Sequence, residues 1–337
     1  MKEKHVALIF HHSDLDGIGV KIVGIVIAKK LGYTDIETYK CDYHNINSVV
    51  MSRLRQDLTD VGLILIGDIS VNEKVAEFIN NEIYGNCKID VVLRDHHATA
   101  DYLNKYKWAE VHEEDKFGVK RCGTWQLAAS FPDLTYDMDT FITVVDDWDT
   151  WKWTTNGDNW ARDLNALLQV IGENKFTQYI MKGTSPRCCQ TKPQYLFDDW
   201  ASTIVEAHTL MTQKTARNCE NDMWVTSIVQ NKQKYKTGIV FCNNAISDVA
   251  DYILTNHPEL DILMLINFPR AISLRTQKDN INVGAIAKKL TGSGGGHPQS
   301  AGCVISKEQF SSAFTHFLRN ISREKIYCSP LELSKEV

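Results

Sequence analysis

The sequence predicts an α/β protein in two parts: an N-terminal domain built on a parallel sheet, and a smaller C-terminal domain of mixed α/β character. Three observations carry this. The first half alternates apolar runs with amphipathic stretches, and the second half sets short apolar runs close together with few helices between them. At 337 residues the chain also exceeds what a single core usually organises.

Taken in order, "HVALIF" reads as the first strand and Gly17 to Leu31 as a helix. The run "VGLILIG", a helix from Glu73 to Glu82 and the run "IDVVL" follow. Strands of near-continuous apolar character separated by helices belong to a parallel sheet covered on both faces. Helical pattern then dominates from about Lys120 to Lys182, until "KGTSPRCCQTKPQ" breaks it. That break and a helix over about Tyr195 to Asn218 read as a connection between domains. From Trp224 a second alternation runs through "WVTSIV", "GIVFC", a helix near Ala245 to Thr255, "DILMLINF", "AISLRT", a helix near Val283 to Leu290, "GSGGGH" and "AGCVIS". The expected boundaries are 1–182 for the first domain, 183–221 for the linker and connecting helix, 222–325 for the second domain and 326–337 for a tail.

The apolar fraction of 43% is ordinary for a folded protein. A net charge of -5 and a pI near 6.1 give no basic footprint of the kind that long duplex nucleic acid attracts, so a polyanionic substrate should be small or held by a local cluster. Nine cysteines lie scattered without a CxxC pair, and the start "MKEKHVALIF" lacks the apolar segment of a signal peptide. No stretch reaches the ~18 to 20 apolar residues of a membrane span. The expectation is a soluble cytoplasmic protein with free thiols and no membrane partner.

In an open parallel sheet, ligands bind beyond the carboxyl ends of the strands, so polar residues just after apolar runs are the informative ones. The first run ends in "FHHSDLDG" with His11, His12, Asp14 and Asp16, the second in Asp68, and the third in Asp95, His96 and His97. The segment "VVDDWDTW" adds Asp146, Asp147 and Asp149. Each alone has a structural reading: a turn at Asp14 to Gly17 capping a helix, an N-cap at Asp68, a hydrogen-bonded loop at 95–97. Chance rarely places Asp or His after three successive strands of one sheet, however. Carboxylates converging without Lys or Arg partners repel one another unless cations neutralise them. Oxygen donors with a few imidazoles suit Mn²⁺ or Mg²⁺, and no cysteine nearby favours a thiolate zinc site.

In the second half, the glycines Gly294, Gly295 and Gly296 let backbone amides approach an anion, His297 adds a donor, and Arg275 in "SLRT" offers a planar guanidinium. The tryptophans Trp148, Trp151, Trp153 and Trp160, with Arg270, invite base stacking, but at this density packing against a core is the stronger reading.

"HSDLDG", "GD", "RDHH" and "DDWD", in that order, resemble the four motifs of the DHH phosphoesterase family, and "GSGGGHPQSAG" resembles the signature of its DHH-associated second domain. The resemblance implies a metal-binding DHH domain, a second substrate-binding domain and an active site in the cleft between them. It implies two manganese ions, with Mg²⁺ as the alternative. His12 and Asp14 would hold one ion, Asp16 and His96 the other, and Asp68 would bridge. The fourth-motif aspartate is Asp147 on the spacing to a following aromatic, with Asp146 as alternate, and His11 is the alternate to His12. Asp68, Asp95 and His97 would be the catalytic residues, Asp95 orienting a neighbouring imidazole and His97 facing the substrate. Arg275, Gly295, Gly296 and His297, with His97, would bind it.

The implied reaction is hydrolysis of a phosphoester by a hydroxide bridging two metals ~3.5 to 4 Å apart. The implied substrates are oligoribonucleotides of a few residues, linear dinucleotides or 3',5'-bisphosphonucleotides. A single-strand exonuclease, a cyclic-dinucleotide phosphodiesterase, a non-catalytic nucleotide-binding regulator and a plain interaction protein are the alternatives. A homodimer is compatible with all of these.

Overall fold

The computed structural model describes residues 4–86, 88–182, 186–230, 232–267, 271–291, 294–308 and 311; Arg270 and the expected tail lie outside them. The chain divides into two compact units at residues 208/209.

The first unit is built on a five-stranded, wholly parallel sheet of β1 (Val6–His11), β2 (Asp35–Lys40), β3 (Val61–Gly67), β4 (Asp90–Asp95) and β5 (Ala109–Val111), in the order β2-β1-β3-β4-β5. Side chains alternate across a strand, so successive apolar residues must feed two cores. Ala7, Ile9, Leu63 and Leu65 enter one core, whereas Leu8, Phe10, Ile64 and Ile66 enter the other. This double covering is why β1 and β3 read as unbroken apolar runs.

Helix α1 (Leu15–Lys30) covers the first face, and α2 (Ile46–Leu54) and α3 (Glu73–Phe78) cover the second. The chain then returns to the first face with α4 (Gly123–Ala129), α5 (Pro132–Thr135), α6 (Asp139–Asp149), α7 (Trp153–Asn156), α8 (Trp160–Ile171) and α9 (Glu173–Ile180). The helix expected over 73–82 is α3 followed by a wider π turn over Ile79–Tyr84. Strand β2, "DIETYK", carries no apolar run: it is an edge strand with half-exposed side chains. The stretch after Lys182 that reads as a linker places Cys188 and Leu196 fully buried in the first core, since both are apolar and the polar residues around them stay outside. Trp148, Trp153 and Trp160 pack against that core.

α10 (Asp199–Asn221) leads into the second unit. There β6 (Trp224–Gln230), β7 (Gln233–Phe241), β8 (Ile262–Asn267), β9 (Ala271–Arg275), β10 (Gly295–Gly296) and β11 (Ser300–Val304) form a six-stranded sheet in the order β10-β11-β9-β8-β7-β6. Its β7–β8 pair is parallel and its other pairs are antiparallel, the mixed sheet that closely spaced strands predict. α11 (Ile246–Asn256) and α12 (Val283–Thr291) each cover one of two cores. Among the described residues, no helix is long and apolar enough to cross a membrane.

Candidate metal centre

The strand order puts a topological switch between β1 and β3, because the chain leaves β1 toward β2 and later returns to the other side at β3. In open α/β sheets, ligand sites form at such a point, beyond the carboxyl ends of the strands. Here those ends deliver His12, Asp68, and Asp95 to His97.

After β1 the chain turns sharply into α1. Asp14 caps the helix by accepting from the Gly17 amide at 3.0 Å through Oδ1. Gly17 lies so close to His12 that a Cβ would stand 2.3 Å from the His12 carbonyl oxygen. This tight turn leaves Asp14 Oδ2 at 2.9 Å from His12 Nδ1, with Asp68 Oδ2 at 3.6 Å from the same nitrogen. The capping role and the ligand role fall on different oxygens of one carboxylate.

Asp68 follows β3 in the left-handed region, φ 56°, with its amide donating to Arg94 O at 3.0 Å. Gly123 packs against it: a Cβ there would meet Asp68 Cα at 2.9 Å. Asp68 Oδ1 lies 3.2 Å from His96 Nε2, so its two oxygens face two different imidazoles. Asp16, in the first turn of α1, accepts the Gly123 and Thr124 amides at 2.7 and 2.8 Å, and its Oδ2 stands 3.8 Å from His96 Nε2. Asp149, at the end of α6, brings Oδ2 within 3.5 Å of His96 Nε2.

Ligand-type atoms thus gather in three overlapping groups: His12, Asp14 and Asp68; Asp16, His96 and Asp149; and Asp68, Asp95, His96 and His97. Asp95 is the organiser of the last group. Its Oδ1 accepts the His96 amide at 2.8 Å and His97 Nδ1 at 2.7 Å, and its Oδ2 accepts from Ser70 Oγ at 2.5 Å. His97 Nε2 then faces outward, 3.0 Å from the Tyr43 hydroxyl.

Electrostatics fit a cation. Asp68 Oδ2 and Asp149 Oδ2 are buried without a hydrogen-bond partner among the described residues, and His12 Nδ1 is buried beside Asp14 Oδ2. Orphaned buried lone pairs are costly unless a ligand takes them. Burial first, and then Asp16 and Asp14, push the Asp68 and Asp149 carboxyls well above the usual carboxylate range. Burial also holds His96 below its ordinary value, toward the neutral form that coordinates metal. Burial disfavours ionised Asp95, but the His97 hydrogen bond and charge outweigh it and hold that carboxyl low.

One expectation from sequence changes, and one choice between neighbours is decided. Asp147, chosen on spacing, points away from the cluster and accepts from Asn156 Nδ2 at 2.9 Å; its alternate Asp146 is buried against Arg121, Lys152 and the Cys122 amide. Helix phase is the reason: Ile142, Val145 and Asp149 share the inward face of α6, whereas Asp147 falls with exposed Thr143. Of the two histidines, His12 faces the cluster. His11 is fully buried behind it, its Nδ1 bonded to the His12 carbonyl at 2.7 Å and its Nε2 3.7 Å from Glu173, and burial pushes it down to about 4.

The remaining predicted residues lie in the second unit. Arg275 on β9 pairs with Ser300 of β11, and its Nη1 donates to the carbonyls of Leu274 and Ala301 at 3.1 and 3.3 Å. Its Nε is buried without a hydrogen-bond partner among the described residues. Gly295 and Gly296 form β10 beside β11, and exposed His297 follows them. Reading from sequence missed Ser70, two residues beyond Asp68, and Tyr43, which follows the edge strand β2 and no apolar run.

A parallel α/β unit with acids and imidazoles at its switch point, joined to a mixed-sheet unit with an Arg and a glycine-His turn, defines a two-domain hydrolase-like class. Comparison with known proteins agrees. Residues 218–323 match the family model described as DHHA1 domain. Oligoribonuclease NrnB of Bacillus subtilis (strain 168) is 26% identical over 310 residues, covering 90% of this chain and 73% of that protein. In fold, the chain matches the exonuclease RecJ bound to manganese with a TM-score of 0.53 at 15% identity, over 92% of this chain and 88% of that one. It matches a pGpG-specific phosphodiesterase, PggH, from Vibrio cholerae with a TM-score of 0.52 at 12% identity, over 94% and 98%. These likenesses support a DHH-type phosphoesterase, with a DHHA1 domain over residues 218–323.

Proposed function

We propose that the chain is a divalent-metal-dependent phosphoesterase that hydrolyses short nucleotide substrates, namely oligoribonucleotides of a few residues or linear dinucleotides. The observation that carries this is the convergence of His12 Nδ1 and Asp14 Oδ2, 2.9 Å apart, with Asp68 Oδ2 and Asp149 Oδ2, buried without a hydrogen-bond partner among the described residues, at the switch point of the sheet. His12, Asp14 and Asp68 would hold one cation and Asp16, His96 and Asp149 a second, with Asp68 shared. The donor set of carboxylate oxygens and imidazoles suits Mn²⁺, with Mg²⁺ as the alternative. When bound, such cations supply Lewis-acid chemistry, activating water at neutral pH and neutralising phosphate charge.

The chain's own residues supply the rest. Asp95, kept ionised, holds the proton of His97 on Nδ1 and turns Nε2 toward the incoming phosphate. Arg275, His297 and the amides of Gly295 and Gly296 would take a phosphate of the substrate. The names of NrnB and PggH, an oligoribonuclease and a pGpG-specific phosphodiesterase, support a short substrate, as does the net charge of -5.

The test is a Mn²⁺-dependent hydrolysis panel of a linear dinucleotide, an RNA pentamer, a bisphosphonucleotide, a cyclic dinucleotide, pyrophosphate and longer single-stranded DNA, with Asp68→Ala as control. The dinucleotide and pentamer should be the best substrates, and the variant should lose two to three orders of magnitude, roughly, in rate. No turnover on any member, or equal turnover by the variant, overturns the reading.

A further inference from the structure

Tyr43 occupies a place that neither packing nor the metal ligands explain. It lies in the loop 41–45 between β2 and α2, and that loop is tied to the turn carrying His12 and Asp14. The Cys41 amide donates to His11 O at 2.8 Å, and Ser13 Oγ donates to Asp42 Oδ1 at 2.9 Å. The Asp42 amide closes the loop on Asn45 Oδ1 at 2.8 Å. Tyr43 is 60% exposed and belongs to neither apolar core of the first unit. Instead its ring leans on the His12 ring, centroids 5.1 Å apart and tilted by 49°, and meets the His97 ring edge-on at 5.9 Å.

The hydroxyl is the informative atom. His97 donates its Nδ1–H to Asp95 Oδ1, which leaves its Nε2 facing the Tyr43 hydroxyl at 3.0 Å. A relay of contacts, Ser70 to Asp95 to His97 to Tyr43, therefore ends in a donor on an exposed side chain at the rim of a carboxylate-rich cluster. An anionic phosphodiester approaching that cluster meets acceptors almost everywhere; Tyr43 offers an uncharged donor that can leave His97 by a small rotation.

We propose that Tyr43 is a substrate-contacting residue whose hydroxyl donates a hydrogen bond to a phosphate oxygen of the bound nucleotide, beside His97. This rests on the phosphoesterase reading above. It adds a specificity element contributed by the loop after β2, a segment that carries none of the ligands.

The experiment compares the wild-type chain with Tyr43→Phe and Tyr43→Leu, measuring kcat/KM on a linear dinucleotide, bound Mn²⁺ per chain, and affinity of the Mn²⁺-loaded protein for inorganic phosphate. Tyr43→Phe should lower kcat/KM on the order of ten- to hundredfold and weaken phosphate binding, with metal content unchanged, as loss of a hydrogen bond to a charged group requires. Tyr43→Leu should match it. If Tyr43→Phe equals wild type, the proposal is overturned while wild-type turnover leaves the phosphoesterase reading standing. If only Tyr43→Leu falls, the ring face and not the hydroxyl makes the contact. Loss of metal in Tyr43→Phe overturns the proposal by assigning the residue to the ligand shell, and an inactive wild-type chain overturns both readings together.

Discussion

Asp146 and Asp149 lie one turn apart on α6 and meet opposite surroundings. Asp146 is buried in a shell of donors: Arg121 Nη1 at 3.0 Å, Lys152 Nζ at 2.6 Å and the Cys122 amide at 2.8 Å. Asp149 has one oxygen buried without a hydrogen-bond donor among the described residues, and its neighbours include Asp16, Asp14, His96 and His97. The first carboxylate comes with its countercharge built into the chain, so it is part of the framework. The second lacks one, and its neutralisation has to come from a proton or a cation. Counting acids near a site does not separate these roles; counting their donors does.

The sharpest way to break this comparison is to neutralise each acid in turn. Asp146→Asn should cost stability, on the order of 3–5 kcal/mol, because Arg121 and Lys152 are left beside an uncharged amide. Asp149→Asn should leave the melting temperature of metal-free protein unchanged or raised, while removing metal and lowering hydrolysis roughly a hundredfold. Asp147→Asn should do neither. Thermal melts and metal analysis of the three variants decide it, and metal loss in Asp147→Asn with retention in Asp149→Asn would reverse the assignment.

A second prediction follows from protons standing in for cations. Asp68 and Asp149 have folded-state pKa values raised above their unfolded ones. Between the unfolded and folded values the native state holds more protons, so metal-free protein loses stability as pH rises through that window. Added Mn²⁺ should therefore raise the melting temperature more at pH 8 than at pH 5, by about 2.7 kcal/mol of stabilisation at a hundred times Kd where ligands are deprotonated. An increment independent of pH would contradict the raised values.

The smallest effect concerns the scaffold. Gly123→Ala drives a Cβ to 2.9 Å from the Asp68 backbone and should destabilise by about 1–3 kcal/mol. Metal affinity should fall with it, because Asp68 has to shift; unchanged affinity in a melt-and-titration pair would show that the turn is softer than its packing implies.

How legible all this is in the sequence depends on periodicity. β1, β3 and β4 announce themselves as apolar runs because the sheet is covered on both faces, and the residues just beyond them are where the cluster forms. β2 and the three-residue β5 carry no such signal, being an edge strand with half-exposed side chains and a short segment. Asp149 was readable in principle: the phase set by Ile142 and Val145 carries it inward, whereas linear spacing to an aromatic selects Asp147. Tyr43 was not. Its place depends on β2 lying parallel beside β1, a pairing that no local pattern encodes.

The turn after β3 has a consequence for how such a chain can diverge. Asp68 sits in a backbone conformation that only Gly, Asn and Asp enter readily. A descendant that abandoned catalysis would be free to drift at His12 or Asp149, whose backbones make no such demand. Position 68 would stay confined to the same three residues, so its identity alone reports the turn, and only its charge reports the chemistry.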